Sequence, residues 1–130
     1  MRDTPPESEH ALALAVLVRS VDVGAPRFAL DLVGTAVAAG EEVTLALFGP
    51  AVGVGLRELR GPLGAFGRAL ALVRAMAEAG GGTLSVYACS AAVAELGEDP
   101  DALEDARMVD CVLGWPGIWR EIRLARLVVI

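Results

Sequence analysis

The sequence predicts a three-layer α/β/α sandwich built on a mostly parallel sheet of about five strands. Three observations predict it. Short, continuously apolar runs such as "ALALAVLV" (11–18) alternate with longer segments of helical period. A run that is apolar at every position suits a strand covered on both faces, as strands of parallel sheets are. No two-residue hairpin signal joins these runs, so consecutive strands are connected through helices.

The run at 11–18 is the first strand. "RSVDVGAP" is a loop, and Pro26 is placed for the first turn of a helix, where its missing N–H costs nothing. Over "RFALDLVGTAVAAG" (27–40) the expected apolar face is Phe28, Leu32, Thr35, Val37 and Ala39, with Gly40 ending the helix. "EEVTLALFG" supplies the second strand, about Val43 to Phe48. "PAVGVGLRELRGP" is expected to be a Gly/Pro-rich connection with one short helical turn. A helical pattern from Leu63 to Ala79 is broken by Gly80, Gly81 and Gly82. "LSVYA" (84–88) is the third strand and "SAAVAEL" the next helix. Asp99 caps a further helix with Pro100 at its first position. "VDCVLG" (109–114), "PGIWREIRLA" and "LVVI" give the fourth strand, the last helix and the final strand. The polar residues 1–10 are expected to be a disordered lead-in to a single domain over 11–130.

Composition removes several function classes. A net charge of −6 and a pI near 4.7 argue against a nucleic-acid partner. The longest strong apolar run, Ala11 to Val18, is far short of the ~18 residues of a membrane helix. The N-terminal stretch lacks the basic-then-apolar layout of a signal peptide, so the chain reads as cytoplasmic, with no membrane partner. All eleven basic residues are arginine, which excludes a Walker A lysine, a Schiff-base lysine and a lysine general base. Two cysteines and one histidine do not make a usual four-ligand zinc site without carboxylates, and there is no CxxC. Neither a metal nor a cofactor is expected.

Sheets of this class place ligands beyond the carboxyl ends of their strands. That edge comprises Ser20 to Gly24, Phe48 to Gly55, Ala88 to Ala91 and Leu113 to Pro116. Cys89 falls on it at the start of a helix, where first-turn N–H groups and the macrodipole favour a thiolate. Such a thiolate is a nucleophile, or an acceptor of a sulfane sulfur as persulfide. The alternative is a small hydrophobe packed in a turn. Ser20, Asp22 and Ser90 share the edge as candidate binding residues, and Asp22 also reads as a loop cap. Cys111 is expected to pack in the core without a disulfide to Cys89, and His10 to be solvated. "GVGLRE" (53–58) has Glu58 where a third glycine would stand, and it follows the second strand, so it is no dinucleotide site. Arg57 and Arg60 on this stretch are either solvated or turned toward an anionic partner. Trp115 and Trp119 bracket Pro116–Gly117 as core or interface anchors.

Three segments together resemble a known family. "SVDVGAPRFALDLVGTAVAAGEEVTLALFG" runs from a helix into a strand ending Phe-Gly, the cysteine of "GGGTLSVYACSAAVAELG" heads a helix, and "VDCVLGWPGIWREIRLARLVVI" closes the chain. This order and spacing resembles the DsrE/DsrF-like (sulfur-relay) family of small α/β proteins over nearly the full length. The resemblance implies that Cys89 is the family's relay cysteine. It also implies a sulfur carrier or sulfurtransferase-like protein, with a sulfur donor or acceptor protein as partner. Relay members carry an Arg-Gly pair several residues after the cysteine, where this chain has Ala94, Glu95, Leu96 and Gly97. A non-enzymatic small-ligand-binding or protein-interaction module retaining the fold is therefore the alternative.

Self-association is also expected. In "GAFGRALALVRAMAEAG" the apolar residues span more than one helical stripe, too wide a face for one sheet contact. A homo-oligomer of closed symmetry follows, and the family resemblance implies a trimer or hexamer.

Overall fold

In the computed structural model, which describes residues 13–60 and 65–130, five strands form one sheet. The chain runs β1 (Ala13–Val18), α1 (Ala25–Ala38), β2 (Glu42–Leu47), α2 (Pro50–Arg60) and α3 (Ala65–Glu78). It continues through β3 (Thr83–Cys89), α4 (Ser90–Glu95), α5 (Pro100–Asp105), β4 (Cys111–Leu113), α6 (Trp115–Ile122) and β5 (Arg126–Val129). The lead-in at 1–10, the expected strand start at Ala11 and the expected helix start at Leu63 lie outside the described residues.

The strand order is β4-β3-β2-β1-β5, and every neighbouring pair is parallel. Among the described residues the sheet is thus all-parallel. Alternation along each strand sorts the side chains into two layers. Leu14, Val16, Val18, Val43, Leu45, Leu47, Val86 and Ala88 share the larger core with Leu30 and Val33 of α1, Val52 of α2, Leu70 of α3, Val93 of α4 and Leu103 of α5. Ala15, Leu17, Ala46 and Tyr87 form the opposite layer with Ile118 and Ile122 of α6. Among the described residues five helices therefore cover one face and one eight-residue helix covers the other. Among the described residues no helix is long and apolar enough to cross a membrane.

Two expectations are corrected. The segment after β2 is no single turn but an eleven-residue helix, α2. Its glycines are buried packing positions, and a Cβ on Gly55 would come 2.8 Å from Leu47 Cδ1. Close approach to β2 overrides glycine's poor helix propensity. The buried face of α1 is also different: it is Ala29, Leu30, Val33, Ala36 and Val37, with Pro26 at its start. Phe28 is 62% exposed, Thr35 and Ala39 are exposed and Leu32 is half-buried. The small Ala29 and Ala36 lie on the i, i+3, i+4 ridge with Val33 and Val37 and let the helix approach the sheet, which turns the bulkier Phe28 outward.

The expected caps are present. Gly40 has φ +87° while its N–H donates to Val37 O at 2.9 Å and that of Glu41 to Ala36 O at 3.0 Å, a Schellman end to α1. The Asp99 side chain accepts from Asp101 N at 3.1 Å, with Pro100 in the first turn of α5.

Candidate functional site

The topology singles out one place along the carboxyl edge. From β1, β2 and β3 the chain turns toward the larger core, into α1, α2 and α4. From β4 it turns to the opposite face, into α6. Neighbouring strands whose connections leave to opposite faces open a crevice between them, and here those strands are β3 and β4. Cys89 is the last residue of β3, paired in register with Leu113, the last residue of β4.

Cys89 is also the N-cap residue of α4, with an extended backbone (φ −66°, ψ 125°). Its side chain makes no capping hydrogen bond. The thiol is half-buried and packs against the edge of the larger core. Buried Ala88 precedes it, and Ala92 and Val93 of α4 are buried as well, so the thiol lies over an apolar floor. The opening N–H groups of α4 have no intrahelical acceptor and carry partial positive charge beside it.

The other wall is the start of α6. Gly114 is its N-cap, and a Cβ there would lie 3.6 Å from Ser90 Oγ, so the two loops touch. Trp115 meets Phe48 edge-on, with ring centroids 5.0 Å apart and planes at 71°. Phe48 follows β2 and Trp115 follows β4, so this contact bridges the end of the intervening strand, β3, where Cys89 sits. Trp119 stacks one helical turn further along, 6.1 Å from Trp115.

Cys111 occupies different surroundings. It pairs with Tyr87, two residues back from the Cys89–Leu113 pair. Two strand steps and one sheet spacing separate the two Cα atoms by roughly 8 Å, beyond the span of a disulfide; both thiols are free. Burial, and then the carboxylates of Glu104, Asp110 and Glu121, push the Cys111 thiol above its ordinary range. These acids have structural partners. Glu104 Oε2 accepts from Val112 N at 2.8 Å, and Asp110 Oδ2 from Val86 N at 2.7 Å. Glu121 Oε1 accepts from Tyr87 OH at 3.4 Å. Burial raises the Tyr87 phenol too. Of the two sulfurs, Cys111 is kept as a thiol by its neighbours, half-buried against the α6 layer.

Of the sequence-predicted binding residues, only Ser90 joins Cys89. Ser20 Oγ accepts from Asp22 N at 3.1 Å, and Asp22 Oδ1 accepts from Gly24 N at 3.0 Å, so both side chains shape the β1–α1 loop. That loop is tied to β5, because Arg19 N and Ser20 N donate to Ile130 O at 2.9 and 3.2 Å. It lies beyond β2, about two sheet spacings (~10 Å) from the end of β3. Arg60 grips the Glu98 carboxylate with both terminal nitrogens at 2.8 Å, which holds that carboxyl below its ordinary range. Arg57 lines the adjoining groove of about 370 Å³ with Leu56 and Leu96. The sequence places Phe48 and Gly114 on the carboxyl edge without a role of their own, and Trp115 there as an anchor. Their signals were the Phe-Gly end of the second strand and the Gly-Trp-Pro turn after the fourth.

Among the described residues no three His, Cys, Asp or Glu side chains are grouped to hold a metal ion. No side chain among them bonds Cys89 Sγ. The arrangement offers one half-exposed thiol at the β3–β4 switch point, at the start of α4. No family model matches the chain, and no curated protein matches it.

Proposed function

We propose that the protein is a sulfur carrier, or sulfurtransferase-like protein, that holds a sulfane sulfur as a persulfide on Cys89. The observation that carries this reading is the position of Cys89 at the β3–β4 switch point, the place where such sheets bind small ligands. The resemblance in order and spacing of elements to DsrE/DsrF-like proteins, which maps their relay cysteine onto Cys89, supports it.

The chemistry balances without a cofactor. The Cys89 thiolate attacks the outer sulfur of a donor persulfide, R–S–S⁻. A bond forms between Cys89 Sγ and that sulfur, the donor's S–S bond breaks, and R–S⁻ leaves with the electron pair. Cys89 then carries –S–S⁻, and an acceptor thiolate repeats the exchange to discharge it. The half-buried setting of Cys89 slows hydrolytic loss.

The test is transfer. Protein loaded from a small persulfide donor is mixed with cyanide, which takes the outer sulfur as thiocyanate. Thiocyanate is expected from the wild type and from Cys111→Ser, and not from Cys89→Ser. Equal yield from Cys89→Ser contradicts the proposal. It would favour an interaction module in which Cys89 only packs against the core, as its contact with the larger layer allows.

A further inference from the structure

The two edges of the sheet are finished differently. At β4 the edge strand is three residues long, and a carboxylate from α5, Glu104, occupies the Val112 N–H. Short edge strands and charged side chains are the usual means of blocking edge pairing.

At β5 the inner hydrogen-bonding side is fixed by Ile130, whose N–H donates to Leu17 O at 2.8 Å while its C=O accepts from Arg19 N. Backbone groups alternate along a strand, so Arg126 and Val128 also face β1. The N–H and C=O of Leu127 and Val129 therefore point away from the sheet. Among the described residues no side chain bonds them. The side chains of Leu127 and Val129 lie on the α6 face, because their register partners are Ala15 and Leu17. Both are about half exposed, and Leu124 just before the strand is 62% exposed.

Helical spacing extends this surface. Ile118 and Ile122 of α6 face the sheet, and Glu121 lies on the flank that reaches Tyr87 of β3. Trp115 and Trp119 fall on the opposite flank, where Trp115 meets Phe48.

We infer that β5 pairs antiparallel with β5 of a second copy of this chain, about a two-fold axis at Val128, joining two sheets into one. The occupant is set by self-complementarity. With the axis at Val128, Leu127 lies opposite Val129 of the second copy and the reverse, and each such pair exchanges both outward hydrogen bonds. The same register puts leucine against valine across the strands on the α6 face, where apolar cross-strand pairs stabilise a sheet. An isologous contact of this kind closes on itself. Leu124, Leu127 and Val129, each 49–62% exposed, supply apolar surface on and just before β5 toward the ~800 Å² each partner buries in a standard interface. The unit is a dimer, and a hexamer would contain it three times.

The test combines light scattering with amide hydrogen exchange. The wild type is expected at twice 13.4 kDa, with the amides of Leu127 and Val129 protected. In Val129→Pro the lost N–H faces outward, so the monomer fold tolerates proline there. This variant is expected to run at the monomer mass with the Leu127 amide unprotected and the Val128 amide still protected. Leu127→Glu, which sets carboxylates beside the axis, is expected to dissociate the dimer without touching the ladder to β1. A monomeric wild type, a larger assembly whose Leu127 and Val129 amides are unprotected, or a Val129→Pro protein that stays dimeric would each overturn the inference.

Discussion

Cys89 and Leu113 are paired in register at the carboxyl ends of adjacent strands, and from this pair the chain leaves the sheet in opposite directions. Into α4 it turns toward the larger core, and into α6 toward the smaller. This divergence results from connectivity: β4 is followed by α6, which crosses back to the far side of β1, where β5 lies. A side chain at the end of β3 is held by sheet and helix together and still reaches solvent.

Trp115 and Phe48 meet across the end of β3, the strand that ends in Cys89. Trp115→Ala removes the edge-on contact with Phe48, and such pairs are worth about 1 kcal/mol. The variant is expected to remain folded with a slightly lower melting temperature. Alkylation of Cys89 is expected to speed up several-fold, as measured by mass spectrometry of Cys111→Ser and its Trp115→Ala double variant.

Cys111 predicts the opposite behaviour for a thiol. Burial and the carboxylates of Glu104, Asp110 and Glu121 raise its pKa, so in Cys89→Ser its alkylation is expected to be slow at neutral pH. The rate is expected to climb only at pH values above those that ionise a free thiol, about 8.5. The same shift has a stability consequence. The unfolded chain releases this proton at lower pH than the folded protein does, so the unfolded state binds fewer protons as the pH rises through the unfolded value. Stability therefore falls on the alkaline side. Cys111→Ser is expected to flatten that decline in denaturant titrations run across the range.

Asp110 holds the amino end of β4 in place. Its carboxylate accepts from Val86 N and from Arg74 Nη1 at 3.0 Å, and the Arg74 side chain is only 13% exposed. Asp110→Ala leaves a backbone N–H and a largely buried guanidinium without this partner, an expected loss of about 2–4 kcal/mol. Asp110→Asn, which keeps one oxygen, is expected to lose less. Urea midpoints of the two variants measure the difference.

Gly82 shows a backbone constraint. A Cβ there would lie 1.9 Å from Glu41 O, and Gly82 N donates to Val37 O at 2.8 Å. Backbone oxygen has no rotamer by which to move aside, so Gly82→Ala is expected to cost more than ~3 kcal/mol. Thermal melting of the variant checks this, with a much smaller loss expected for a Gly53→Ala control, whose Cβ would meet only Leu96 and Arg57 side chains at 3.5 Å or more.

The layered fold was legible because strands buried on both faces, such as Val16 and Leu45 with their neighbours, must be apolar throughout. Helix ends at Gly40 and Asp99 were legible because capping chemistry is local. The helix over 50–60 was not, since Gly53 and Gly55 weaken it locally and only contacts with Leu96 and Leu47 explain them. The placement of Cys89 at a strand end was readable. That its neighbours across the crevice are Gly114 and Trp115, and not Ser20 or Asp22, was not readable: this depends on strand order, which the alternation of elements leaves open.

The central claim is that Cys89, and not Cys111, carries sulfur. Its most direct test is the intact mass of the protein after brief exposure to a small persulfide donor at neutral pH, followed by removal of the donor. The account predicts one added sulfur, about 32 Da, on the wild type and on Cys111→Ser, and none on Cys89→Ser. An adduct that persists in Cys89→Ser, or no adduct on wild-type protein whose thiols remain alkylatable, would contradict it.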